Sequence, residues 1–138
     1  MEQLYFNYEE IVTIPFLRQI IKELIRDILR IAEKRLGKKS SEIVVLDVGC
    51  GIGLSSAYLA KKCKKVIAIE PFVKAFDIAK KNKNSKLEFY NCTIEDFNSK
   101  DKFDLVLSLT TIEHMPDPKK SFKQIFKLMK NGGLIYLT

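Results

Sequence analysis

The chain has 138 residues, 46% hydrophobic and 30% charged, which fits one globular domain and excludes bulk disorder. Its formal charge of +7 is mostly a lysine excess spread in short pairs; a nucleic-acid partner fits that balance, but a solvated Lys-rich surface is the simpler and favoured account. Three cysteines without a C-x-x-C pair, one histidine, no signal peptide and no long apolar run predict no zinc site, no disulfide framework, no membrane insertion and a cytoplasmic location.

Residues 7–14 read as a short helix stopped by Pro15. Over 16–36 apolar residues recur at three- and four-residue steps (Leu17, Ile20, Ile21, Leu24, Ile25, Ile28), which predicts an amphipathic helix ended by Gly37. It also carries Arg18, Lys22, Arg26, Arg30 and Lys34, a row that suits phosphates or a membrane surface. Interspersed Glu23, Asp27 and Glu33 favour instead an exposed face laced with ion pairs. We divide the chain into this helical segment, 1–40, and a core domain, 41–138.

The core opens with EIVVLDVGCGIG at 42–53. An apolar run of strand-formers ends in Asp47 and Val48, then glycines at 49, 51 and 53, then a helix predicted over 54–62. This is a buried parallel strand leading into a loop whose backbone must pass close to a ligand. Further strands are predicted at 66–69, 87–90 and 103–109, and a fifth in the terminal LIYLT. Helices are predicted at 72–81, burying Phe72, Ala75, Phe76 and Ala79, and from Asp117-Pro118 to about residue 130, burying Phe122, Ile125, Phe126 and Met129. Asn131-Gly132-Gly133 is expected to end that last helix. The order is α/β with parallel strands, right-handed crossovers and an irregular connection between the third and fourth strands.

The loop spacing is informative. A dinucleotide loop, G-x-G-x-x-G, would need glycine or alanine where Leu54 stands, and no Gly-Lys-Ser/Thr triplet of a P-loop occurs. Glu70 ends the second strand about twenty residues on, where an acid can accept hydrogen bonds from both hydroxyls of a ribose; the alternative is a surface glutamate. Asp47 is placed to bond the loop's own N–H groups, a role compatible with meeting a ligand as well.

Together these residues resemble the first motif and ribose acid of the class I S-adenosylmethionine-dependent methyltransferases. The resemblance implies a Rossmann-like doubly wound sheet of strand order 3-2-1-4-5 with helices on both faces, and S-adenosylmethionine as cofactor, S-adenosylhomocysteine as product. It places the cofactor's methionine tail at Asp47, Gly49, Cys50, Gly51 and Gly53, with its carboxylate at the N-terminus of the following helix. The ribose falls to Glu70, and the adenine to Pro71, Phe72, Ile94 and Glu95, with Leu109 at the end of the fourth strand. Cys92 stands where the family more often has aspartate. In the family a leading helix packs near the cofactor mouth, where Tyr5 and Tyr8 could close over it.

The run TTIEHMPDP, 110–118, is similar to the matching part of ubiquinone-pathway O-methyltransferases. It offers His114, beside Glu113, as a general base; the alternative is a loop histidine bonded to a backbone carbonyl. Relatives that bind a divalent metal carry a glutamate where Thr110 stands, and no metal is predicted. Family members usually continue through another helix and two more strands, 6 and 7, which are absent here. The expectation is a truncated chain, or pairing of the exposed LIYLT edge with another chain in a homo-oligomer. The function expected is methyl transfer to oxygen or carbon of a small-molecule acceptor. The rivals are an RNA or protein methyltransferase and a non-catalytic cofactor-binding module or inactive fragment.

Overall fold

Continuous apolar runs demand burial on both faces, and that demand arranges the sheet. In the computed structural model, which describes residues 15–138, the elements are α1 (Pro15–Leu36), a short 3-10 turn (Ser40–Glu42), β1 (Val44–Val48), α2 (Leu54–Lys62), β2 (Lys65–Ile69), α3 (Val73–Ala79), β3 (Leu87–Tyr90), β4 (Phe103–Ser108), a second 3-10 turn (Ile112–His114), α4 (Pro118–Leu128) and β5 (Met129–Leu137). The expectations for the segment 7–14, and for Tyr5 and Tyr8, lie outside the described residues.

The strands form one five-stranded sheet, β3-β2-β1-β4-β5, parallel throughout, as expected. β1 and β4 lie inside it, and every residue of β4 is buried. β3, at one edge, alternates between half-buried and exposed, as its mixed sequence LEFY requires. On one face Ile25, Ile28, Leu29 and Ala32 of α1 and Leu59 of α2 meet Val45, Val66, Leu105 and Leu107. On the other, Ile125 and Leu128 of α4 cover Leu46, Ile67 and Val106. The irregular connection before β4 contributes Ile94 and Phe97 to that same layer, so two side chains cover the area a crossover helix usually covers. The exposed side of α1 carries ion pairs: Arg26 with Glu23, and Arg30 with Asp27 at 3.4 Å.

Three expectations are corrected. Phe126 is 64% exposed, because α4 buries Ser121, Ile125 and Leu128, and the residue after Ile125 lies about 100° round the helix from that stripe. α3 is shorter than predicted, and Phe72 precedes it as an exposed cap rather than a core residue. Asn131-Gly132-Gly133 does not end α4, which stops at Leu128; the triplet belongs to the irregular start of β5. There Phe103 pairs with Met129 but Leu105 with Leu134, so residues 130–133 stand opposite Asp104 alone.

Asp104 explains why this irregularity holds. It is 2% exposed, and its carboxylate accepts from Lys38 Nζ (2.6 Å), Lys130 Nζ (3.0 Å) and the Val44 N–H (2.9 Å). Burial pushes the carboxyl up, but these donors outweigh it and hold it below the ordinary aspartate range. One acid thereby ties the chain after α1, the start of β1 and the bulge of β5 at the N-terminal end of the sheet.

Candidate functional site

At the opposite end, the strands' C-termini, parallel topology gathers the loops that follow β1, β2 and β4. The loop after β1 is anchored by two backbone bonds, from the N–H groups of Gly49 and Cys50 to the Ile69 carbonyl (2.9 and 3.0 Å). Gly49 has φ +70°, and a Cβ there would lie 2.3 Å from the Thr111 side chain, so only glycine lets the two loops touch. Gly51 has φ +55° too, yet its missing Cβ would meet nothing within 4 Å among the described residues. Its bareness is therefore not a packing requirement and leaves open space beside the backbone.

Two buried carboxylates flank this loop. Glu70 accepts from the Gly51 N–H and the Phe72 N–H, both at 2.8 Å, which clasps the glycine loop to the end of β2. Asp47, 1% exposed, accepts through Oδ2 from Ser55 Oγ (2.7 Å) and Ser56 Oγ (2.6 Å) in the first turn of α2. Its bonds thus go to hydroxyls, not to the loop N–H groups considered above. Burial pushes the Asp47 carboxyl up, the two serines offset part of this, and the charge of Glu70 adds to it. Neither acid forms an ion pair among the described residues. Cys50 is a wall rather than a nucleophile: burial, then the charges of Asp47 and Glu70, push its thiol far up.

Gly49 separates two depressions. The first, about 230 Å³, is lined by Asp47, Gly49, Cys50, Gly51 and Leu109, with Thr110 and with Leu17 and Ile21 of α1. The second, about 90 Å³, is lined by Gly49, Pro71, Ile94, Glu95 and His114, with Thr111 and Met115. Most of the predicted residues are therefore brought together, in two groups on either side of the loop. Gly53 lies outside both as the left-handed cap of α2, Glu70 lines neither and is engaged with the loop backbone, and Phe72 and Glu113 are exposed outside both. The Ile94 side chain belongs to the core, so only its backbone can reach a ligand. His114 closes the second 3-10 turn; its ring is exposed and makes no hydrogen bond among the described residues, to a backbone carbonyl or otherwise.

Comparison with known proteins decides the family. The model of the methyltransferase domain family matches residues 46–137, from β1 to the end of β5. The chain belongs to the class I S-adenosylmethionine-dependent methyltransferases. The ubiquinone biosynthesis O-methyltransferase of Pelagibacter ubique is 30% identical over 126 residues, 88% of this chain and 51% of that protein. That of Coxiella burnetii is 35% identical over 98 residues, 68% of this chain and 42% of that protein. The chain thus spans about half the length of the curated relatives it matches. Among solved structures, S-adenosylmethionine-bound CalS10, an amino pentose methyltransferase from Micromonospora echinaspora, superposes with a TM-score of 0.79 at 18% identity, over 99% of this chain and 58% of that one. That likeness is one of fold.

Three residues of this methyltransferase domain hold places that the sequence reading did not assign them. Thr110 has φ +51°, a left-handed conformation that costs a β-branched residue about 1–2 kcal/mol, at the rim of the first depression. Its N–H is held by Thr138, through the carbonyl (3.2 Å) and Oγ1 (3.1 Å). Thr111 presses on Gly49, and Ser121 of α4 bonds the Glu95 carboxylate. Only Ser121 left a signal, as a small polar residue on the buried stripe of an amphipathic helix.

Proposed function

We propose that the chain binds S-adenosylmethionine across the glycine loop and directs its methyl group to an oxygen or carbon atom of a small-molecule acceptor. The observation that carries this reading is the pair Asp47 and Glu70, buried acids with neutral donors only, on either side of a loop with open space at Gly51. Their charge is uncompensated, which suits a cationic ligand carrying an ammonium and a sulfonium. Asp47 Oδ1 has no hydrogen bond among the described residues and is the acceptor for the ammonium group. The N–H groups at the start of α2 take the carboxylate, with about 0.3–1 kcal/mol from the helix dipole. Glu70 already accepts one N–H on each oxygen, and its remaining lone pairs take the ribose hydroxyls. Pro71, Phe72, Ile94 and Glu95 surround the adenine.

The cofactor supplies an activated methyl group whose bonding electrons return to sulfur on transfer. The work left to the protein is alignment, and removal of a proton where the acceptor atom holds one. Leu109 and Thr110 border the first depression, where an acceptor approaches, and His114, with Glu113 beside it, is the candidate base on the wall of the second. The identity of the curated relatives as ubiquinone biosynthesis O-methyltransferases supports a hydroxyl acceptor of low molecular weight. The sheet's β5 edge pairs with no strand among the described residues, and we propose that a second copy pairs there; a monomer in sedimentation analysis would sink that part.

Calorimetric titration with S-adenosylhomocysteine, with NAD as control, tests the binding step. Micromolar affinity for the first and none for the second is expected. Glu70→Ala should weaken that affinity by about 1–3 kcal/mol, and Gly51→Val should abolish it while the fold persists. A folded Gly51→Val protein with normal affinity would reduce the loop to a turn. Binding without turnover on any acceptor would leave a cofactor-binding module in place of a transferase.

A further inference from the structure

Beside the glycine loop, sharing Ile52 and Leu54 with the first depression, a groove of about 350 Å³ lies between α2, the loop leading to β3, and the first turns of α1. Its cations come from three separate stretches of chain: Arg18 on α1, Lys61 on α2, and Lys81 and Lys83 before β3. Among the described residues no acidic side chain lines it, and the amides of Asn82 and Asn84 add neutral donors. Lysines at several other places on the fold are neutralised: Lys38 and Lys130 by Asp104, Lys65 by Glu88 and Asp101, Lys80 by Asp77. Lys61, Lys81 and Lys83 form no ion pair among the described residues; Lys61 instead sits over the Tyr58 ring, 5.3 Å from its centroid. Cations converging on one concavity raise its potential well above that of the same charges scattered over a convex surface.

We propose that this groove is a second binding site, for a small ligand bearing a di- or triphosphate group. The ammonium groups of Lys61, Lys81 and Lys83 offer movable point charges to phosphate oxygens. The volume falls within the range of small-molecule pockets, and Tyr58 with the apolar floor at Ile78 and Leu87 suits the organic part. A nucleic-acid backbone needs a continuous basic track, and here the track stops: farther along α1, Arg26 and Arg30 are already paired with acids of their own helix.

The test is calorimetric titration of the full chain with sodium pyrophosphate and sodium tripolyphosphate. Two double variants are compared, Lys81→Glu with Lys83→Glu at the groove, and Lys119→Glu with Lys123→Glu on exposed α4. Saturable one-to-one binding is expected, weakened about tenfold or more by the groove pair and about twofold or less by the α4 pair, which changes only the screened overall charge. Should the groove pair fail to fold, Lys81→Gln with Lys83→Gln removes the same charges with less perturbation. Equal losses in both pairs, or no saturable binding of either probe, would overturn the site. So would tight binding of a short RNA or of anionic phosphatidylserine vesicles where both polyphosphates fail.

Discussion

The two ends of the sheet each bury carboxylates, and they satisfy them differently. At the N-terminal end Asp104 has two ammonium partners and a backbone N–H, so its charge is matched and its position is fixed. At the C-terminal end Asp47 has two serine hydroxyls and Glu70 two backbone N–H groups, which satisfy hydrogen bonding but leave the charge unmatched. Burial with matched charge closes a structure. Burial with unmatched charge stores attraction for a cation still to come, at some cost in stability.

Each half of this contrast can be broken separately. Asp104→Ala strands the Val44 N–H and leaves two half-exposed lysines unpaired, and should cost roughly 2–3 kcal/mol in urea unfolding. Asp47→Asn should do the reverse, raising the stability of the ligand-free protein by up to about 1 kcal/mol while weakening S-adenosylhomocysteine binding by about 1–3 kcal/mol, read by paired unfolding and calorimetry. A loss of stability with unchanged affinity would make Asp47 a purely structural acid.

Acid titration sharpens the difference, because the two shifts have opposite signs. Asp104, held low, contributes stability that is complete above about pH 4 and is lost as pH falls through its depressed folded value. Asp47, held high, costs stability above its raised folded value, and that cost fades as pH falls toward about 4. In unfolding curves taken down the pH scale, the advantage of Asp47→Asn over the native chain should shrink first. The disadvantage of Asp104→Asn should shrink only below that. The smallest expected effect is at Phe126→Ser, on a residue already in solvent, where a change within about 0.5 kcal/mol follows from its exposure.

Much of this was legible in the sequence. The apolar run of β1, the bounds of α2 and β3, and the strand-end positions of Asp47 and Glu70 follow from local patterns of period, glycine and charge. What was not legible depends on distant partners. Gly132-Gly133 reads as a helix stop until Asp104 draws Lys130 back and makes it part of a bulge. The hydroxyls that hold Asp47 stand eight and nine residues away, and nothing local marks them as its donors. Thr110 reads only as the first residue after the fourth strand; its left-handed φ goes with the hold of Thr138 beyond the neighbouring β5 and with the loop pressed on Gly49.

The bulge of β5 bears on how chains of this kind can change in length. Because 130–133 face a single residue of β4, a residue inserted or deleted there alters only the size of the protrusion, and the pairing from Leu134 onward keeps its register. A single insertion in 49–53 has no such slack. It would turn α2 by about 100° relative to β1 and carry Ser55 and Ser56 away from Asp47. Natural length variation should therefore collect at the start of β5 and be missing from the glycine loop.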